Sequence, residues 1–421
     1  MPSFGLVSLL LCLAATFGFL NHRYFRLPGP IALLLAALTV SLAAMAVDPL
    51  LGADTVRDWT REELGHANLS RVLLDGALAF LLFAGALHVD FETLRSRLAT
   101  ILALATVGTL LSAMLFAAGI WGVFRLTGYP VPFIWCVVLG AILGPTDPIA
   151  IAGLLQRVSL PRTLETVIAG ESLLNDGVGV VIFLGALEVA TGSAHASSLH
   201  FLALFVLQAG GGAALGLATG GIAYAAMRWV DEYRVELMIS LALATGTFSL
   251  AEQLGVSGPI AVVVAGTVIG NAGMRYAMSE TTRTNLATFW SLVDEVLNSL
   301  LFMMIGFEIL SINFHLATLL AALLAIPLSL LVRLVAVVLT TYPQHRHNPK
   351  IAGAVAVLVW GGLRGGISVA MALSLPPDVA PREALLTVCY AVVVFTIVVQ
   401  GLSIKRVIRS FYGAREAASA P

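Results

Sequence analysis

The chain is a succession of long apolar runs cut by short polar stretches. Thirteen runs approach the roughly 20 apolar residues that a helix needs to cross a bilayer. They cover roughly 4–20, 30–47, 71–89, 98–124, 133–155, 164–187, 199–227, 235–253, 256–274, 286–310, 316–341, 351–375 and 384–404. Spans eight and nine are parted only near Gly255. The pattern predicts an all-α polytopic membrane protein of about thirteen transmembrane helices.

Basic residues set the orientation. With the N-terminus outside, sixteen of the 23 Lys and Arg residues fall in inner loops and five in outer ones, leaving Arg333 and Arg364 inside spans. The positive-inside rule then gives an external N-terminus and a cytoplasmic C-terminus. Met1–Leu20 has no basic residues ahead of its apolar run, and Arg23 and Arg26 follow it. That order predicts a retained first helix, not a cleaved leader. In the longest outer loop, Asp48–Ser70, either a short interfacial helix anchored by Trp59 or a plain solvated loop is expected. The short stretch Gly413–Pro421 is expected to be a disordered cytoplasmic tail.

Two spans are broken. Span five contains Gly144-Pro-Thr-Asp-Pro148, whose prolines forbid a continuous helix. Span twelve contains Gly361-Gly-Leu-Arg-Gly-Gly366, four glycines around one arginine. The breaks lie seven spans apart, so the two spans enter from opposite sides. That predicts two inverted six-helix repeats, spans 1–6 and 8–13, with crossed discontinuous helices at the midplane.

Composition agrees with lipid as the main solvent. Of 421 residues, 59% are hydrophobic and 11% charged, with a mean hydropathy of +0.95. A net charge of −1 argues against a nucleic-acid partner. Cys12, Cys136 and Cys389 are far apart in apolar runs and form neither a disulfide framework nor a metal pattern. No cofactor is implied.

The exception to all this oil is Ala169–Phe183, which carries Glu171, Ser172, Asn175 and Asp176 inside span six. At 3.6 residues per turn they share one flank of a helix. An isolated acid at the bilayer centre costs roughly 2.5–3.5 kcal/mol on insertion scales, so such residues mark ion paths by default. A small hard cation wants several oxygen ligands. Asp176, Ser172 and Thr146 can supply them to Na⁺, and Asp147 can complete or orient the shell. Asp176 can bind a proton instead, so the two ions would compete for one group. Arg364 needs a partner at that depth, and Glu171 is the expected one. Asp176 is then the only carboxylate in the core that must change state, which implies one-for-one, electroneutral exchange.

Blander readings stand beside these. Asp176 with Asn175 can be a structural polar pair, and Thr146-Asp147 can cap a broken helix without ligation. Arg333 reads as interhelical pairing or snorkelling. Asp294, Glu295 and Asn298 line either a funnel or a solvated helix end. His88 reads as an interfacial histidine. The run Gly210–Gly216 with Gly220 and Gly221 suits close helix packing.

Gly144-Pro-Thr-Asp-Pro148, Gly170-Glu-Ser-Leu-Leu-Asn-Asp-Gly177 and Gly361–Gly366 resemble the sodium/proton exchanger family, the electroneutral branch of the monovalent cation/proton antiporters. The resemblance implies a homodimer in the bilayer. Each protomer would have a core domain, about 98–190 and 316–404, moving as an elevator against a dimerisation domain. By motif match Asp176 is the ion- and proton-binding aspartate, and Asn175 replaces a second aspartate found in electrogenic relatives. Ser172 and Thr146 match supporting ligands, and Glu171 with Arg364 matches a stabilising ion pair. Some members carry a glutamate in span three where Ala84 stands here. The compact length, without a long regulatory tail, agrees with a prokaryotic plasma-membrane member.

The expected activity is exchange of Na⁺ or Li⁺ for H⁺. The alternatives are K⁺/H⁺ exchange on the same scaffold and a cation channel. An intramembrane enzyme is disfavoured, since no Ser–His pair, paired-aspartate motif or His-rich cluster lies at membrane depth.

Overall fold

A computed structural model describes residues 3–47, 68–89, 91–147, 160–192, 198–311, 315–345 and 351–412. Within them the chain is helical, with no strand. The Asp48–Ser70 loop up to residue 67, and the tail from residue 413, lie outside the described residues, as do residues 148–159 of span five.

The helices follow the apolar runs. They are α1 (Ser3–Leu20), α2 (Gly29–Val47), α3 (Asn68–Leu87) and α4 (Phe91–Leu102), which passes through a π-helical turn at Ala103–Gly108 into α5 (Thr109–Leu126). Next come α6 (Phe133–Ile142), α7 (Arg162–Ala190), α8 (Ser198–Trp229), α9 (Tyr233–Leu254), α10 (Gly258–Val268) and α11 (Glu280–Glu308). The last are α12 (Leu316–His345), α13 (Ile351–Trp360), α14 (Gly366–Leu373), α15 (Arg382–Phe395) and α16 (Gly401–Tyr412). Among the described residues, eight helices are long and apolar enough to cross a bilayer.

Local chemistry sets the boundaries. Gly255 ends α9 in the left-handed region at φ +68°, where a Cβ would be strained. Two residues later, Ser257 caps α10, its Oγ accepting from the Ile260 N–H at 3.4 Å, with Pro259 in the first turn. Ser279 caps α11 through the Thr282 N–H in the same way.

Four apolar clusters form among the described residues, two of them large. The larger joins α5, α6, α7, α12, α13, α14, α15 and α16 with Ile31 and Leu34 of α2, Ile101 of α4 and Phe302 and Ile305 of α11; Cys136, Leu139, Val388 and Val393 are fully enclosed in it. The second joins α3, α8, α9, α10 and α11, with Leu173 of α7, around Trp290, whose ring lies 4.7 Å from that of Phe83. The glycine run packs closely, as its spacing predicts. A Cβ on Gly212 or Gly216 of α8 would strike the backbone carbonyl of Ser257 or Ala261, at the edge of α10 and within it. Bulk at these positions would force the two helices apart.

Both predicted breaks are present. Helix α6 stops at Ile142, and Leu143–Asp147 runs on without helical structure. Span twelve is two short helices, α13 and α14, separated by Gly361–Gly365.

Candidate functional site

The two breaks meet. The Asp147 N–H donates to the Leu363 carbonyl at 2.8 Å, joining one interrupted span to the other by a backbone bond. Neither carrier of that bond can find a partner in a helical ladder here, so each completes the other. The side chain of Asp147 occupies the space beside Gly365, where a Cβ would overlap its carboxylate. Gly365 is the N-cap of α14, so the carboxylate stands at the positive end of a half-helix.

Arg364 serves the opposite end. Its guanidinium donates through Nη1 to the carbonyls of Gly144 and Pro145, just past the C-terminus of α6. Those carbonyls have no onward helix to bond, and a cation there also suits the negative end of the half-helix. The Arg364 backbone N–H is held by Thr396 Oγ1 at 3.1 Å.

The expected Glu171–Arg364 ion pair is therefore corrected. Glu171 Oε1 is bound by Arg333 Nη1 of α12 at 2.6 Å, with both side chains buried. Arg333 Nη2 also donates to the Leu358 carbonyl, and its stem lies against Gly362. Two arginines and one acid had to be matched at the same depth. The open carbonyls of the first break claimed Arg364, and Glu171 was left facing α12. Arg333, read from sequence as pairing or snorkelling, pairs. Both arginines and Glu171 remain within electrostatic reach of one another.

The other residues of the α7 flank turn to the place where the breaks meet. Ser172, Asn175 and Asp176 are all buried, as are Thr146 and Asp147. Thr146 Oγ1 links two of them: it lies 3.2 Å from Ser172 Oγ and accepts from Asn175 Nδ2 at 2.8 Å. Asn175 Oδ1 is buried with no hydrogen-bond partner. Among the described residues the Asp176 carboxylate has neither a hydrogen bond nor an ion pair, and its electrostatic neighbour is Asp147. Glycines allow this closeness. A Cβ on Gly179 would run into the Pro145 ring, and one on Gly177 into Ile260 of α10.

The result is a buried cluster rich in oxygen: two carboxylates, two hydroxyls and a spare amide carbonyl, with the nearby arginines already committed. No group of three His, Cys, Asp or Glu suited to a resident metal occurs among the described residues. A hard monovalent cation or a proton fits that donor set. Thr396, Leu363 and the Gly144–Pro145 carbonyls were not foreseen. Backbone acceptors carry no residue-type signal, although prolines in a break do announce unpaired carbonyls.

Comparison with known proteins follows the same line. Residues 7–410 match the family described as "Sodium/hydrogen exchanger, transmembrane". The Na⁺/H⁺ antiporter NhaP of Pseudomonas aeruginosa is 41% identical over 419 residues, covering 97% of each chain. The Na⁺/H⁺ antiporter NhaH of Halobacillus dabanensis is 34% identical over 394 residues, covering 92% of this chain and 93% of its own. Among solved structures, the sodium proton antiporter MjNhaP1 of Methanocaldococcus jannaschii at pH 8 shares the fold. Its TM-score is 0.75 at 21% identity, over 98% of this chain and 99% of that one.

Proposed function

The chain belongs to the sodium/hydrogen exchanger family, and from that membership we propose that it is a secondary antiporter exchanging Na⁺, or Li⁺ in its place, for H⁺ across a prokaryotic plasma membrane. One observation carries the reading: a buried carboxylate, Asp176, that has no fixed cation and lies on the flank facing the two helix breaks where they meet.

Asp176 is the shared binding group. Thr146 and Ser172 supply further oxygens to the cation, the free Oδ1 of Asn175 is available to it, and Asp147 orients the shell from the N-terminus of α14. A bare carboxylate inside the bilayer is costly, so the carrier crosses only when a proton or a cation neutralises it. Competition for one group then becomes obligatory exchange. Glu171 stays paired with Arg333 throughout and Arg364 stays on its carbonyls, so one charge changes hands per cycle and exchange is electroneutral. The ions are substrates, and no resident cofactor or catalytic step enters.

The finer architecture belongs to the same proposal: thirteen spans, two inverted repeats, external N-terminus, cytoplasmic C-terminus, and a homodimer. The core domain of about 98–190 and 316–404 moves against the remaining helices as an elevator. The names of both curated relatives favour Na⁺ over the K⁺ alternative, and a channel would have no use for a protonatable acid at the crossing.

The test is exchange in proteoliposomes with Na⁺, Li⁺ and K⁺ in turn, with the membrane potential clamped and unclamped. Proton flux driven by Na⁺ or Li⁺ and indifferent to the clamp is expected. Flux driven by K⁺ alone, or none, would refute the reading.

A further inference from the structure

The second break satisfies its first amides locally. The N–H groups of Gly361, Gly362 and Leu363 donate to the carbonyls of Val357, Val359 and Gly361. The next one, that of Arg364, leaves the span and donates to Thr396 Oγ1 at 3.1 Å. Thr396 is buried at the start of the π-helical turn Thr396–Gln400, which joins α15 to α16. Its hydroxyl gives its one proton to the Val393 carbonyl at 2.9 Å, so the oxygen is left to accept.

The Arg364 N–H shares a peptide plane with the Leu363 carbonyl, the same carbonyl that accepts the Asp147 N–H at 2.8 Å. In a trans peptide these two groups point to opposite sides of one rigid plane. A bond at one end therefore fixes the direction of the other. Arg364 makes the second link to the first break, through Nη1 on the Gly144 and Pro145 carbonyls. Thr146 lies between these contacts. The Pro145 carbonyl belongs to the peptide before it, and the Asp147 N–H to the peptide after it. Both peptides flanking Thr146 are thus held from Leu363–Arg364, while its Oγ1 meets Ser172 and Asn175.

We infer, resting on the antiport reading, that Thr396 is a positioning residue for the cation: by holding the Leu363–Arg364 peptide it sets where Thr146 presents its oxygen to an ion on Asp176. Its own hydrogen bonds go to backbone, at Val393 and Arg364, so its effect passes through that peptide. Gln400, at the other end of the π-helical turn, serves a different edge of the break. Its Nε2 donates to the Trp360 carbonyl at 3.2 Å, and Ser403 Oγ accepts from Trp360 Nε1 at 2.8 Å. Those bonds hold the end of α13 and do not lie on the Leu363–Arg364 peptide, so they support span twelve without steering Thr146.

The experiment measures Na⁺-driven proton flux in proteoliposomes at one pH across a Na⁺ series. Thr396→Val keeps the shape and removes the acceptor. It should raise the KM for Na⁺ about fivefold, the worth of one neutral hydrogen bond, with the maximal rate within about twofold of wild type. Thr396→Ser keeps the acceptor and should bring the KM back to the wild-type value. Gln400→Met, which loosens the break at its other edge, should leave the KM where it was. A purely structural role lowers the amount of working protein, and with it the maximal rate, but not the KM. An unmoved KM in Thr396→Val, a fall in its maximal rate alone, no rescue by serine, or an equal rise in Gln400→Met overturns the inference. Should Thr396→Val not reconstitute, Thr396→Ala decides by the same KM criterion. Wild-type flux with an unmoved KM in these variants sinks only this role, whereas absent wild-type flux sinks the antiport reading and this role with it.

Discussion

Glu171 and Arg333 meet at 2.6 Å between α7 and α12, both buried, and through Arg333 the pair also reaches the Leu358 carbonyl at the end of α13. One ion pair thus ties the helix that bears Asp176 to a neighbouring span and to the second break. It also removes Glu171 from the set of acids that can take up a transported ion.

Breaking that pair should cost stability more than it costs ion binding. Glu171→Ala or Arg333→Ala leaves a lone buried charge, a loss of roughly 3–5 kcal/mol. The joint change Glu171→Gln with Arg333→Met should recover much of it. Thermal unfolding in detergent checks this, and a single variant that melts with wild type would contradict the pairing.

Asp176→Asn should abolish Na⁺-driven exchange while the protein remains folded, because the amide can be neither ionised nor protonated in the working range. Flux in proteoliposomes beside a size-exclusion profile makes the comparison. Substantial residual exchange would remove Asp176 from its role.

Gly365→Ala should impair the site without touching any ligand of its own. The new Cβ would overlap the Asp147 carboxylate, so Asp147 must leave the N-terminus of α14 or the break must open. Overpacking of this kind costs typically 1–3 kcal/mol. The expected readout is a raised KM for Na⁺ together with a lowered melting temperature; wild-type values for both would show the space to be slack.

Asn175→Asp adds a carboxylate beside Asp176 with no new counter-charge. If one carboxylate makes exchange electroneutral, a second should make flux respond to the membrane potential. Clamped and unclamped vesicles measure it, and continued indifference to potential would mean that charge balance is set elsewhere.

Ala84 marks a limit on what a motif can say. It is buried in α3 against the second core, and it offers no side-chain oxygen there. Nothing about its sequence context announces that its own carbonyl meets the ring of the exposed His88, one turn later, at 2.8 Å.

The sequence by itself determined the solvent, the helices and the two interruptions. Apolar length, proline and clustered glycine act locally, and local physics can be counted along a chain. It also determined which acid is exceptional, because the price of a carboxylate in oil does not depend on who its neighbours are. Only the tertiary structure decided the pairing of charges. Two arginines and one glutamate at similar depth admit more than one match, and the choice fell to unpaired backbone carbonyls at Gly144 and Pro145 that no side-chain pattern records. The meeting of Asp147 with Leu363, and of the Asp147 carboxylate with Gly365, likewise exists only once the two breaks have been brought together.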